Sequence, residues 1–226
     1  MKKMSMLLLV ALVASPLLAD DNAKTKDKGD KPDASPGWLI MESDFWFPLR
    51  YEPLYSLDSI RYHYRRDQEK AAANEIDKAA SWLKLAAGHA MPITEEKLTT
   101  AKTELEKLSK DLRAGRTFDA AMLDSALGKA AHALGEWHYY KAKESWAKSE
   151  TQDAGHNLEL AAQYLQHAAD SAHYEFGPDT EKVVTTTYRS GKKTGETVHY
   201  DHNELGRHLQ GVENAVKELS EAMEKK

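Results

Sequence analysis

The chain has 226 residues, 41% hydrophobic and 30% charged, with a formal net charge of −5 and no cysteine. That mixture suits one globular domain or two small ones. The missing cysteine excludes disulfides, thiolate metal sites, cysteine nucleophiles, a lipid-bearing cysteine and covalently attached c-type haem.

Residues 1–19 read as an export signal. Lys2 and Lys3 supply the positive start and residues 6–13 the apolar run. Residues 15–19 end in the small side chains a signal peptidase reads, with cleavage after Ala19. The apolar run is short for a bilayer span, so no stable membrane insertion is expected once the signal is removed. An uncleaved signal would instead anchor the chain, and on either reading the body is periplasmic or secreted. Cleavage removes two lysines and leaves 29 basic against 36 acidic residues. Neutralising phosphates needs the opposite balance, which argues against nucleic acid as a partner.

Residues 20–37 are polar and charged, with too few large apolar groups to offset the entropy of ordering, and read as a disordered spacer. Residues 38–56 differ sharply. Trp38, Phe45, Trp46, Phe47, Tyr51 and Tyr55 are interleaved with Pro48 and Pro53. The prolines argue against a continuous helix. The segment reads as an aromatic, extended strap over a groove of the body, since left exposed it would favour association.

Residues 57–226 read as the helical domain. A first helix opens near Leu57, with Ser56 or Asp58 as cap, a turn near Asp67, and an end at Gly88 and Met91–Pro92. Thr94 is the expected cap of a second helix, with Leu98, Ala101, Leu105, Leu108 and Leu112 as its seam and Gly115 as its stop. Phe118 and Asp119 open a third, with Leu123, Ala126, Leu127, Ala130, Leu134 and Trp137 inward. A break is expected at residues 152–155, because a helix unbroken to Ala172 would be far longer than usual. The fourth helix ends by Gly177–Pro178.

Residues 182–200 change character. KVVTTTY, then SGKKTG, then ETVHY read as two β-branched runs around a turn, a small β-hairpin. A last helix follows over residues 203–222. The expected fold is therefore all-α: an antiparallel bundle of four to five helices with a small hairpin inserted.

Two stretches of this domain match. EIDKAASWLKLAAGHA at residues 75–90 and NLELAAQYLQHAADSA at residues 157–172 place apolar residues in register. Ile76, Ala79, Ala80, Leu83, Ala86, Ala87 and Ala90 correspond to Leu158, Ala161, Ala162, Leu165, Ala168, Ala169 and Ala172. That spacing draws one stripe of small residues down a helix, where a neighbouring backbone can come close. The helix-turn-helix plan does not fit the tetratricopeptide consensus, whose Ala, Tyr and Pro spacing cannot be laid on residues 134–172 at that motif's period.

Chemistry-bearing residues are few in kind. There is no G-x-S-x-G, no H-E-x-x-H and no glycine-rich phosphate loop. Histidine is plentiful, at ten residues. Without cysteine, a metal would need imidazole and carboxylate ligands. His63 with Asp67, His132 with Glu136, and Asp170 with His173 have one-face helical spacing. His167 lies three before Asp170. A metal- or haem-binding bundle would draw on His167, Asp170, His173, His132, Glu136 and His63, and a divalent metal is the candidate cofactor. A Glu-x-x-His on each of two helices, which four-helix carboxylate sites need, does not occur. Read structurally, the histidines are surface or half-buried residues at helix edges; a further reading gives them a pH-sensing role, since free imidazole titrates near pH 6.5. Arg61, Arg65 and Arg66 with Tyr62 and Tyr64 form the best basic-aromatic patch, able to hold an anion or to pair with the excess acids. These readings favour an exported, non-enzymatic helical bundle that binds a protein partner or itself in an envelope-maintenance or stress role, with the metal or haem bundle as the alternative.

Overall fold

Alanine-rich and leucine-rich periodicity yields seven α-helices among the described residues, 52–190 and 200–225 of the computed structural model. They are α1 (Glu52–Tyr64), α2 (Glu69–Ala87), α3 (Pro92–Arg113), α4 (Ala120–Ala147), α5 (Thr151–Ala172), α6 (Pro178–Ser190) and α7 (His202–Glu224). No strand occurs among the described residues.

The local chemistry of the helix ends is readable. Pro92 occupies the first turn of α3, where its missing N–H has no partner to lose. Met91, not Thr94, is the N-cap there; the Thr94 hydroxyl donates to the Met91 carbonyl. Asp119 caps α4, its carboxylate accepting from the Met122 N–H at 2.7 Å. Asp201 caps α7 in the same way, accepting from the Glu204 N–H at 2.9 Å.

Short turns fold α2 against α3 and α4 against α5 as antiparallel hairpins. α3 joins the two hairpins by packing on α4, and α1 lies mainly on α2. α7 seats on both α4 and α5, and α6 bridges α5 and α7. The α4–α5 contact is the most extensive. A Cβ added at Gly135 would lie 3.1 Å from Cγ of Leu165, and one at Gly128 would lie 3.3 Å from Cβ of Ser171. At both positions the partner helix would have to give by a few tenths of an ångström to admit a methyl group. The alanine stripes are buried along most of their length, with Ala87, Ala90 and Ala172 at their ends half-buried. Ile76, Ala79, Ala80, Leu83 and Ala86 are buried, as are Leu158, Ala161, Ala162, Leu165, Ala168 and Ala169. Each fully buried leucine of this core contributes about 2 kcal/mol by leaving water.

Several expectations are corrected. Seven helices stand among the described residues where four to five were expected. The first limb of the expected hairpin is helical, because residues 182–190 belong to α6. Thr180, Val184 and Thr187 are all buried, so the run keeps a helical stripe that its β-branched composition obscured. The rest of that hairpin, residues 191–199, lies outside the described residues. α1 begins at Glu52, so residues 52–56 of the expected strap are its first turns, with Pro53 tolerated there. Residues 38–51, the spacer and the signal lie outside the described residues. The break between α4 and α5 falls at residues 148–150, a few residues ahead of the expected place.

The match between the two alanine stripes extends into a repeat of 82 residues. Gln68 N–H donates to the His63 carbonyl at 3.1 Å, and Asp67 N–H to that of Tyr64 at 3.2 Å. At the same displacement, Glu150 N–H donates to the Ser145 carbonyl at 2.9 Å, and Ser149 N–H to that of Trp146 at 3.0 Å. The cap residues Asp119 and Asp201 stand 82 apart as well. So α1, α2, α3 and the first half of α4 are echoed by the second half of α4, α5, α6 and α7. The long helix α4 closes the first unit and opens the second.

Candidate functional site

The short helix α1 has two faces. Leu57 and Ile60 are buried in the core, while Tyr55 and Tyr62, seven residues apart on the outer edge, are 64% and 53% exposed. The Arg66 guanidinium lies 3.6 Å from the Tyr62 ring centroid, in cation–π contact. The aromatic ring of Tyr64 turns the other way and stacks on Phe118 at 4.9 Å.

A polar network anchors α1. Arg61 Nε donates to Asp124 Oδ1 on α4 at 2.8 Å, and its Nη2 donates to Ser171 Oγ on α5 at 2.8 Å. Asp58 Oδ1 lies 3.0 Å from His167 Nε2, also on α5. The hydrogen bond from His167 holds the Asp58 carboxyl below its usual range, against the effect of burial; the charges of His167 and Arg61 add to the lowering. Asp58, His167 and Ser171 are the residue types of a hydrolytic triad, but not its geometry. Ser171 is buried, donates to the His167 carbonyl at 2.8 Å and accepts from Arg61. Its oxygen also lies 3.5 Å from His167 Nδ1, but the shorter contacts hold the hydroxyl as a strut between the His167 carbonyl and Arg61.

The six residues considered as metal ligands are dispersed. His132 Nε2 lies 3.1 Å from the Val216 carbonyl, facing α7, and burial pushes the ring's pKa down. Glu136, one turn on, faces α3 and takes an ion pair from Lys97 at 2.7 Å. His63 Nδ1 lies 2.6 Å from Gln68 Oε1 across the α1–α2 turn. Asp170 accepts from Gln166 on the solvent side. His173 is exposed and holds the left-handed cap of α5 at φ 49°. Only His167 meets a carboxylate from another helix. Among the described residues no three of His, Asp and Glu gather as a metal cage.

One acid is buried with no cation beside it among the described residues. Glu159 is 3% exposed and accepts from the Tyr200 hydroxyl. Burial pushes its carboxyl up to about 7, opposed by that hydrogen bond. Its counterpart in the first unit, Asp77, is exposed and takes Ser109 Oγ at 2.6 Å together with Arg113. The two units thus treat one position oppositely.

The sequence picks out Tyr62, Arg61 and Arg66 as a patch, but the structure divides them. Arg61 goes inward to Asp124; Tyr62 and Arg66 stay outside, and Tyr55 joins them rather than the strap. The Arg61–Asp124 and Asp58–His167 pairs span 63 and 109 residues. Spacing along the chain carries no signal for such contacts. Among the described residues, no helix is long and apolar enough to cross a membrane. No protein-family model, curated protein or solved structure matches this chain.

Proposed function

We propose that this chain is an exported, non-enzymatic helical repeat protein of the periplasm or extracellular space, and that it binds a protein partner through the outer edge of α1. The observation that carries the reading is the pair Tyr55 and Tyr62, largely exposed on a helix whose opposite face is locked into the core, with Arg66 stacked on one ring. Tyrosine and arginine are the residue types that dominate interface energetics, because rigid rings and a planar cation gain contact area at small entropic cost. The anchoring of α1 by Arg61 and Asp58 keeps that edge preorganised. The neighbouring positive charge of Arg65 and Arg66 suits a partner that presents carboxylates.

In support of a non-enzymatic role, His132, Glu136, His167 and Glu159 are each engaged in a structural contact with a distant part of the chain. The test is cross-linking in the native envelope with the wild-type chain and with Tyr55→Ser/Tyr62→Ser. The variant should keep its helical content and melting temperature but lose the partner. An unchanged set of cross-linked proteins would remove α1 as the binding edge.

A further inference from the structure

The two units differ at three matched positions, and in the second unit the three meet. Ala73, Asp77 and Phe118 correspond to Gly155, Glu159 and Tyr200. In the first unit Phe118 stacks on Tyr64, Ala73 is buried, and Asp77 is exposed. Arg113 donates to Asp77 and, at 2.9 Å, to Asn74. Against the effect of burial, Ser109 and Arg113 hold the Asp77 carboxyl below its usual range. That acid keeps its charge because it has water and a cation.

The second unit gives the same position neither. The Tyr200 ring lies on the bare backbone of Gly155, where an added Cβ would collide with the ring atoms. A methyl group there, as Ala73 carries, would exclude the ring from this seat. His156 packs edge-on against the same ring, with centroids 5.5 Å apart. From this seat the Tyr200 hydroxyl donates to Glu159, which is buried.

A neutral carboxyl suits such a site. An ionised one leaves a buried charge answered by a single phenol donor, which costs more than the same charge in water. Burial accordingly pushes the Glu159 carboxyl up to about 7, opposed by the Tyr200 hydrogen bond. The helices around it bring no compensating charge. His156 on α5, His138 on α4, Glu181 and Lys182 on α6, and Glu204 and His208 on α7 are titratable, and none of them acts on Glu159. Water reaches an ionised Glu159 with least disruption if the ring beside it lifts.

Tyr200 immediately precedes Asp201, the cap of α7. Trp146 fastens the same place from α4, its Nε1 donating to the His202 carbonyl at 2.9 Å and its ring stacking on His202 at 4.7 Å. We infer that Tyr200 is a proton-dependent latch: with Glu159 neutral it fastens the start of α7 to α5, and with Glu159 ionised it lifts from Gly155 and lets the first turn of α7 fray. The Trp146 contact confines the release to that turn. The first unit lacks the latch, because Asp77 is already ionised beside Arg113. The device does not use the tyrosine edge of α1, so either assignment can fail without the other.

Amide exchange of the full chain at pH 5 and pH 8, corrected for the intrinsic rate, tests it. The Glu204 and Leu205 amides, bonded to Asp201, should lose more than about tenfold in protection at pH 8. The Met122 and Leu123 amides, bonded in the same way to Asp119, should keep theirs. Glu159→Gln should hold the first turn of α7 protected at both pH values. Gly155→Ala should leave that turn poorly protected at both, since the new methyl takes the place of the ring. Should Gly155→Ala not fold, Glu159→Gln decides alone. Equal protection of the wild type at the two pH values, a parallel loss at Met122 and Leu123, or a wild-type response in either variant would each overturn the latch.

Discussion

Asp67 and Ser149 stand 82 residues apart and hold the same left-handed turn, at φ 52° and φ 61°. Each follows a helix whose last carbonyls are taken by the two N–H groups of the turn, and each leads into an alanine-striped helix. The left-handed region costs an ordinary L-residue about 1–2 kcal/mol and costs glycine almost nothing. Ser149→Gly is therefore expected to raise stability by about 1 kcal/mol. Asp67→Gly should gain less, because aspartate tolerates this region better than serine. Urea denaturation of the two variants checks the order, and a loss of stability in both would refute the shared-turn assignment.

Arg61 ties three helices together from one side chain. Arg61→Met keeps most of the apolar stem but leaves Asp124 and Ser171 without their donor. Both side chains of the ion pair are largely shielded from solvent, so the cost should be about 2–3 kcal/mol. The far-UV spectrum should stay helical while the urea midpoint falls. A change within a few tenths of a kcal/mol would mean that α1 is held by Leu57 and Ile60 alone.

Glu159 sets a pH dependence with a definite sign. Its carboxyl is raised from 4.5 to about 7 in the folded chain, so the folded state binds the proton more tightly than the unfolded one. Its contribution is fully present below pH 4.5 and is lost as pH rises toward 7, on the order of 3 kcal/mol in all. Glu159→Gln should flatten that part of the pH–stability profile and be more stable than wild type at pH 8. Thermal melts between pH 4.5 and 8 read the effect, and parallel profiles for the two proteins would show that the acid is solvated.

Two threonines on α6 should respond oppositely to the same change. Thr187 is 2% exposed and its hydroxyl has no hydrogen-bond partner among the described residues. Thr180 is also buried, but its hydroxyl donates to Glu218 at 2.5 Å. Thr187→Val should stabilise by about 1 kcal/mol, because an unsatisfied buried hydroxyl is replaced by a methyl group of the same shape. Thr180→Val should destabilise by about 1–2 kcal/mol, leaving a carboxylate oxygen unmatched. Chemical denaturation separates the two, and equal shifts would show that Thr187 is hydrogen-bonded in solution.

Helical periodicity was legible from the sequence because it is a local property. The stripe of Leu98, Ala101, Leu105, Leu108 and Leu112, the cap at Asp119 and the matched alanines of α2 and α5 could all be read from spacing, and all lie in the core or at a helix end as that spacing implies. Composition misled at residues 182–190, where valine and threonine suggested strand. Their buried stripe on α5 and α7 kept them helical. The histidines illustrate the opposite limit. His132 and Glu136 have ligand spacing on one helix, yet a rise of one turn along α4, with a net rotation of about 40°, leaves one bonded to α7 and the other paired with α3. Which side chains meet depends on how seven helices are laid against one another, and the Asp58–His167 contact joins residues 109 apart. Local sequence therefore determined where the helices run and which faces seek burial. Only the packing of distant segments decided that Arg61 turns inward while Tyr55 and Tyr62 remain in water, because that choice is set by which neighbours fill the space beside α1.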